Sequence, residues 1–449
     1  MYRIDKYAEK QADLCTACGS IEPGLYSEYG VKRGLRDLNG QGVVTGLTNI
    51  SKITSFHEVR GELLPCDGEL LYRGYDVCDL INGAAGKDMI YEEGAYLLLF
   101  GELPTKEQLR EFHDVIARSM TLPSNFTRDV IMKAPDADIM CTMTKSILTL
   151  ASYDERKNDL EIPNVLRQSI RLIGNFPMLA AYSFHAYNYY KNCESMFVHR
   201  PDPSLSLTQN FLRLLRPDMQ FTELEARTLD VAFLLHMEHG GGNNSTFTTR
   251  VVTSSGSDTY SAIAAAMCSL KGSRHGGANL MVMQMMDDIR RNVSDTDDEE
   301  EVENYLTKIV RKEAFDRKGL IYGMGHAVYS LSDPRERVFR SYVEKLAGEK
   351  GKEKDLRLYE SIEKLAPEII ARERKIYKGV SPNVDFYSGF VYEMLGIPRE
   401  LYTPIFSVAR IVGWSAHRIE ELVAQNKIIR PAYKSLIGEK RAYVGIEER

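Results

Sequence analysis

FTELEARTLDVAFLLHMEH, Phe221 to His239, is the stretch on which the reading of the fold turns. Thr222 and Glu225 stand at the spacing of a capping box, where each side chain satisfies the other residue's backbone N–H at a helix start. Leu224, Val231 and Leu235 then mark one apolar face with helical spacing. The same pattern recurs in EEEVENYLTKIV, where Val302, Tyr305, Leu306, Ile309 and Val310 share a face. The acidic run Asp295 to Glu301 before it suits the positive end of a helix dipole. Gly174 to Tyr190 is the longest uncharged stretch, and its Asn, Ser, His and Tyr residues make it a buried helix and not a membrane span. MVMQMM, just after Asn279, reads as core filling. Strand signals are sparse. One hairpin is expected in LLPCDGELLYRGY, with Asp67-Gly68 as its turn between two apolar runs. The expected fold is mainly α, with a small β-hairpin near the N-terminus.

A chain of 449 residues can bury a large core and has room for two or three domains. Its net charge of -6 argues against a basic surface for nucleic acid. The opening MYRIDKYAEKQAD is charged and has no apolar centre, so no secretory signal is expected. Seven cysteines, an odd number, point to free thiols in a reducing cytoplasm. Cys15 and Cys18 form one CxxC pair, with no second pair to complete a zinc site. Residues 1–44 are polar and weakly periodic, and read as an N-terminal appendage.

Several polar segments stand out. In KGSRHGGAN, Lys271 and Gly272 close a helix that starts near Ser257. His275 follows beside Gly276, Gly277 and Ala278, which permit unusual backbone angles and close approach of a ligand. In IYGMGHAVY, His326 follows a Gly-x-Gly turn that lacks the third glycine of a dinucleotide fingerprint. Asp333 to Arg335, the tripeptide DPR, comes shortly after. In SPNVDFYSG, Asp385 lies between a Pro-Asn turn and an aromatic-glycine pair. HMEHGGGNN places His236 and His239 on one helix face, without the third ligand or the spacing of a zinc motif. Arg410 in FSVARIVGW and Arg430 in KIIRP stand in apolar settings. Taken singly, each has an ordinary explanation: a loop histidine, a capping aspartate, a snorkelling arginine.

Taken together, in this order and these contexts, GSRHGGAN, GMGHAVYSLSDPR and PNVDFYSG resemble the citrate synthase family. The resemblance runs from VVTGLTNISKI at Val43 to KIIRP at Arg430, and takes in GELLYRGYDV and AYLLLFGELPT. It implies a two-domain helical fold: the appendage 1–44, a large domain 45–276 completed by 392–449, and a small domain 277–391. It implies condensation of acetyl-CoA with oxaloacetate and a place in the tricarboxylic acid cycle. Asp385 would be the base at the thioester methyl, His275 the donor to the enolate oxygen, and His326 the donor to the oxaloacetate carbonyl. His239, Arg335, Arg410 and Arg430 would hold oxaloacetate, the arginines through their planar forks. Leu320, Ile321, Tyr322, Gly323, Met324 and Gly325, with Asn383, would meet coenzyme A. The family also implies a cytoplasmic homodimer in which Arg430 reaches the neighbour's site, with no metal and no cofactor beyond the acyl-CoA substrate. The alternatives are a 2-methylcitrate synthase using propionyl-CoA, a catalytically silent helical binding protein, and a metal hydrolase built on His236 and His239. HGGGNN is a glycine-rich form of its loop, and Ser330 stands where many relatives carry a basic residue.

Overall fold

Seventeen α-helices and one three-stranded antiparallel sheet make up the regular structure among the described residues. The computed structural model describes residues 2–36, 42–59, 62–84, 88–325, 329, 332–374, 380–424 and 427–449. They divide into two units, Met1–Gly46 with Ile429–Arg449, and Leu47–Ile428.

The first unit carries α1 (Tyr2–Gly19) and α2 (Pro23–Glu28), so the N-terminal appendage is largely helical. Within this unit the Lys434 ammonium lies 5.3 Å from the Tyr29 ring centre. The second unit begins with β1 (Ser51–Val59), β2 (Glu62–Tyr72) and β3 (Tyr75–Asp76). A hairpin is present, but Asp67-Gly68 is not its turn. β1 and β2 are joined at residues 60–61, outside the described residues, and β2 runs straight through Asp67 and Gly68. Thr54 pairs with Glu69 and Phe56 with Pro65, so Cys66, Asp67 and Gly68 form a bulge opposite Ser55. The glycine is needed for packing. A Cβ on Gly68 would lie 2.3 Å from the Ser332 carbonyl oxygen. The Gly68 N–H and the Asp67 carboxylate both engage the Ser332 hydroxyl, at 3.3 and 2.8 Å.

Helices follow: α3 (Val77–Gly83), α4 (Ile90–Phe100), α5 (Lys106–Ser119), α6 (Ile139–Leu150), α7 (Ile162–Lys191) and α8 (Leu207–Leu215). Next come α9 (Glu223–Met237), α10 (Asn244–Ser254), α11 (Thr259–Leu270), α12 (Ala278–Asn292) and α13 (Glu299–Val310). The last are α14 (Pro334–Lys350), α15 (Glu353–Arg374), α16 (Val384–Met394) and α17 (Tyr402–Ala424). Capping chemistry starts many of them. The Glu225 N–H donates to Thr222 Oγ1 at 3.2 Å while the Thr222 N–H donates to the Glu225 carboxylate at 2.8 Å. Asp298 caps α13 and Asn383 caps α16, each contact worth about 1 kcal/mol. The stretch 174–190 is the largely buried C-terminal half of α7, and Met283, Met285 and Met286 are core residues.

α17 is the spine of this unit. It packs against α4, α7, α9, α10 and α11, and buries Val408, Ile411 and Trp414 completely. Its approach to the end of α9 requires Gly413. A Cβ there would lie 2.4 Å from the Met237 carbonyl oxygen and 2.6 Å from Glu238 Oε2. Neither atom can yield: one is backbone and the other belongs to a fully buried side chain. Gly413→Ala is therefore expected to lose about 3 kcal/mol by overpacking, read as a lowered midpoint in chemical denaturation. An unchanged midpoint would show that the two helices can separate freely.

Candidate active site

His275 sits in the turn after α11, its N–H bonded to the Gly272 carbonyl at 2.8 Å. The neighbouring glycines serve this turn itself. A Cβ on Gly276 would lie 2.3 Å from the Leu270 carbonyl oxygen, and one on Gly277 2.9 Å from that of Ser273. Neither glycine has a positive φ. Their smallness is thus already spent on close backbone packing, so neither is simply held open for a ligand. The His275 ring is fixed from another helix. The Ser245 N–H, in the first turn of α10, points at His275 Nε2 from 3.3 Å. An N–H can only donate, so Nε2 accepts and the proton of the neutral ring is on Nδ1. The Ser245 hydroxyl receives the indole N–H of Trp414, and its one proton is within reach of both His275 Nε2, at 3.1 Å, and Asn243 Oδ1, at 3.0 Å. Burial, reinforced by the nearby Arg410 cation, pushes the His275 pKa down to about 4.

Asp385 occupies the first turn of α16, its N–H held by Asn383 Oδ1 at 2.9 Å. Burial pushes its carboxyl up to about 6, against the pull of Arg335 and Arg410. Asn383 does more than cap. Its Nδ2 donates to the Gly325 carbonyl at 2.8 Å, and its N–H to the Gly323 carbonyl at 2.9 Å. Gly325 returns an N–H to Ser381. Gly323 and Gly325 take φ of +82° and +87°, angles that favour glycine. The 320–325 loop is thereby stitched to the start of α16, with Ile321 buried and Leu320 exposed. His326 follows Gly325 directly and lies outside the described residues, as does Ser330.

Arg335 and Arg410 are buried in this region. Arg335 gives its Nε and Nη2 to Asp333 at 3.0 and 2.7 Å, so the fork expected for a ligand is half used. Its Nη1 has no protein partner among the described residues. Arg410 gives only Nε, to the His236 carbonyl at 3.2 Å, which leaves both terminal nitrogens without a protein partner among the described residues. Tyr329 links the group: its ring centre is 5.6 Å from that of His239 and 6.0 Å from the Arg335 guanidinium carbon. His236 and His239 do not share a helix face, because α9 ends at Met237 and Glu238 is extended. His236 is fully buried and stacked on Phe406, with neither ring nitrogen hydrogen-bonded among the described residues. Burial and both arginines hold it well below the usual histidine range. His239, His275, Arg335, Arg410 and Asp385 thus belong to one region. Arg430 belongs to the other unit and is exposed there. Sequence reasoning missed Ser245, Glu238 and the single tryptophan, Trp414; only the rarity of tryptophan offered a signal.

Asp385 and His275 pull stability in opposite directions. Asp385, raised from 3.8 to about 6, keeps a proton in the fold that the unfolded chain has released, so its contribution falls as pH rises through that window. His275, lowered from 6.5 to about 4, refuses a proton that the unfolded chain accepts, so its contribution rises with pH over much the same window. Asp385→Asn removes the falling part. Its stability is expected to climb more steeply than the parent's between about pH 4 and 6, by on the order of 2 kcal/mol. Denaturant titrations of both proteins across this range check it, and parallel curves would refute the raised carboxyl.

Among the described residues no helix is long and apolar enough to cross a membrane. Residues 37–432 match the family profile described as citrate synthase, C-terminal domain. A citrate synthase of Haloferax volcanii is 36% identical over 388 residues, covering 85% of this chain and 93% of the relative. A 2-methylcitrate synthase of Corynebacterium glutamicum is 31% identical over 427 residues, covering 94% and 97%. The fold is similar to a solved citrate synthase of Thermoplasma acidophilum in ternary complex with carboxymethyl coenzyme A and oxaloacetate. That match has a TM-score of 0.75 and 26% identity, and covers 93% of this chain and 99% of that one. With a profile spanning most of its length and relatives at least 31% identical over 85% or more of it, the chain belongs to the citrate synthase family of acyltransferases.

Proposed function

We propose that the protein condenses acetyl-CoA with oxaloacetate and water, giving citrate and free CoA. The observation that carries the reading is the Ser245 N–H at His275 Nε2. It leaves a neutral imidazole whose one N–H, at Nδ1, is available for the enolate oxygen of a thioester. Asp385 takes the methyl proton; a carboxyl near 6 is ionised at neutral pH yet more basic than an ordinary aspartate. His326 polarises the oxaloacetate carbonyl that the resulting carbon nucleophile attacks. The terminal nitrogens of Arg410, the Nη1 side of Arg335, and His239 hold the substrate carboxylates. Hydrolysis of the citryl thioester then releases CoA. Leu320 to Gly325 and Asn383 form the coenzyme A side of the site, and no group beyond the two substrates is invoked.

The carriers of these groups support a closing two-domain enzyme. Arg335 and Asp385 lie within 277–391, while His239, His275 and Arg410 lie outside it. A homodimer is part of the reading, with exposed Arg430 supplied across the interface. The seven free cysteines suit a reducing cytoplasm. Propionyl-CoA is the second reading, favoured by the 2-methylcitrate synthase among the relatives.

Release of free thiol from acetyl-CoA and from propionyl-CoA, each with oxaloacetate, tests the reaction and the acyl choice. No thiol from either would overturn the function. With the preferred acyl-CoA, kcat/KM is expected to rise with pH through about 6, because the base must lose its proton. Asp385→Asn should abolish that limb along with turnover while oxaloacetate still binds. His275→Ala should lower kcat by about 10²–10³-fold with smaller changes in KM, since the lost donor acts mainly in the transition state. Retention of near-parental kcat by either variant refutes the assigned role.

A further inference from the structure

His239 stands on no helix or strand, and the loop that follows it reaches as far as Asn243. Its neighbour Glu238 is gripped on almost every polar atom. The Glu238 N–H donates to Tyr72 Oη at 3.3 Å, and that hydroxyl lies 3.0 Å from the Glu238 carbonyl oxygen. Side-chain Oε1 accepts from the Ser51 hydroxyl at 2.8 Å, the Gly240 N–H at 2.6 Å and His417 Nε2 at 2.9 Å. Glu238 and His417 are both completely buried. An interior carboxylate is costly to keep, so its placement calls for a role.

The chain of contacts continues. Arg250 Nε donates to His417 Nδ1 at 3.2 Å, and this fixes the neutral His417 proton on Nε2, facing Glu238. Arg250 is itself anchored by Glu420 and by Glu421, the latter at 2.8 Å. It lies on α10, the helix whose first turn presents the Ser245 N–H to His275. One relay therefore connects α17, the loop carrying His239, and the helix that orients His275.

We propose that Glu238, oriented by His417 and Arg250, is the positioning residue that fixes His239 for its contact with oxaloacetate. The inference rests on the condensation reading above. Glu238→Asp keeps the charge but draws the carboxylate back by one carbon. His417→Leu removes the donor, whereas His417→Gln can both donate to Glu238 and accept from Arg250. In folded Glu238→Asp and His417→Leu, KM for oxaloacetate is expected to rise about tenfold or more, with KM for acyl-CoA nearly unmoved. His417→Gln should restore most of the loss. A purely stabilising role would instead lower the melting temperature and the active fraction while leaving both KM values in place, and that result overturns the proposal. If these variants do not fold, ¹⁵N NMR of the histidine-labelled parent decides: Nε2–H on a neutral His417 supports the relay, and an Nδ1–H or cationic ring refutes it. A parent that releases no thiol condemns the reaction. A parent that turns over beside variants of unmoved oxaloacetate KM condemns the relay.

Discussion

Two guanidinium groups buried within each other's field set the terms for everything around them. Arg335 and Arg410 oppose one another: burial and then Arg335 lower the affinity of Arg410 for its proton. Removing two like charges from water together is expensive unless each has a counterion. Asp333 serves Arg335 through a two-point contact, and Glu238 and Asp385 lend their charge to Arg410. The same field decides the state of the histidines. His236 is driven neutral by burial and by both cations, and His275 by burial and by Arg410. Asp385 feels the opposite pull, raised by burial and restrained by both arginines. One electrostatic arrangement therefore gathers two buried guanidinium groups, histidines held neutral and an aspartate of raised proton affinity in a single small space.

The scaffold delivers this arrangement largely through one helix. Arg410, Gly413, Trp414, His417 and Glu421 recur on α17 at spacings of three and four and so share a face. Arg410 and Gly413 meet the end of α9, His417 meets the loop after it, and Trp414 and Glu421 meet α10. Packing and chemistry are thus not separable on this face. The fully buried indole of Trp414 fills core volume and also supports the serine that orients His275.

Much of this was legible in the sequence where the determinant is local. Thr222 and Glu225 announce a helix start because both partners lie within one turn. The helical face of α13 follows from spacing, and the methionine core of α12 from residue type. The Asp67-Gly68 turn was misread because its glycine answers to Ser332 and Tyr329, which lie far along the chain. Gly276 misled in the same way, its freedom already taken by Leu270. Asp385, His275 and the arginines gained meaning only as a set, through resemblance. Glu238, His417 and Ser245 could not be singled out, since their partners lie up to 187 positions away. Acyl preference was equally hidden, because one methylene is worth only about 1–3 kcal/mol in a pocket.

The bracket made by Asn383 has a mechanical consequence. One side chain holds the Gly325 carbonyl with its amide nitrogen and the Asp385 N–H with its amide oxygen. The loop leading into His326 and the helix turn bearing Asp385 are therefore a single lever, with no slack between its arms. A displacement of that loop is passed to the carboxylate across two hydrogen bonds, not averaged out in solvent. A shift of the loop and a shift of the turn that bears the carboxylate are consequently one movement.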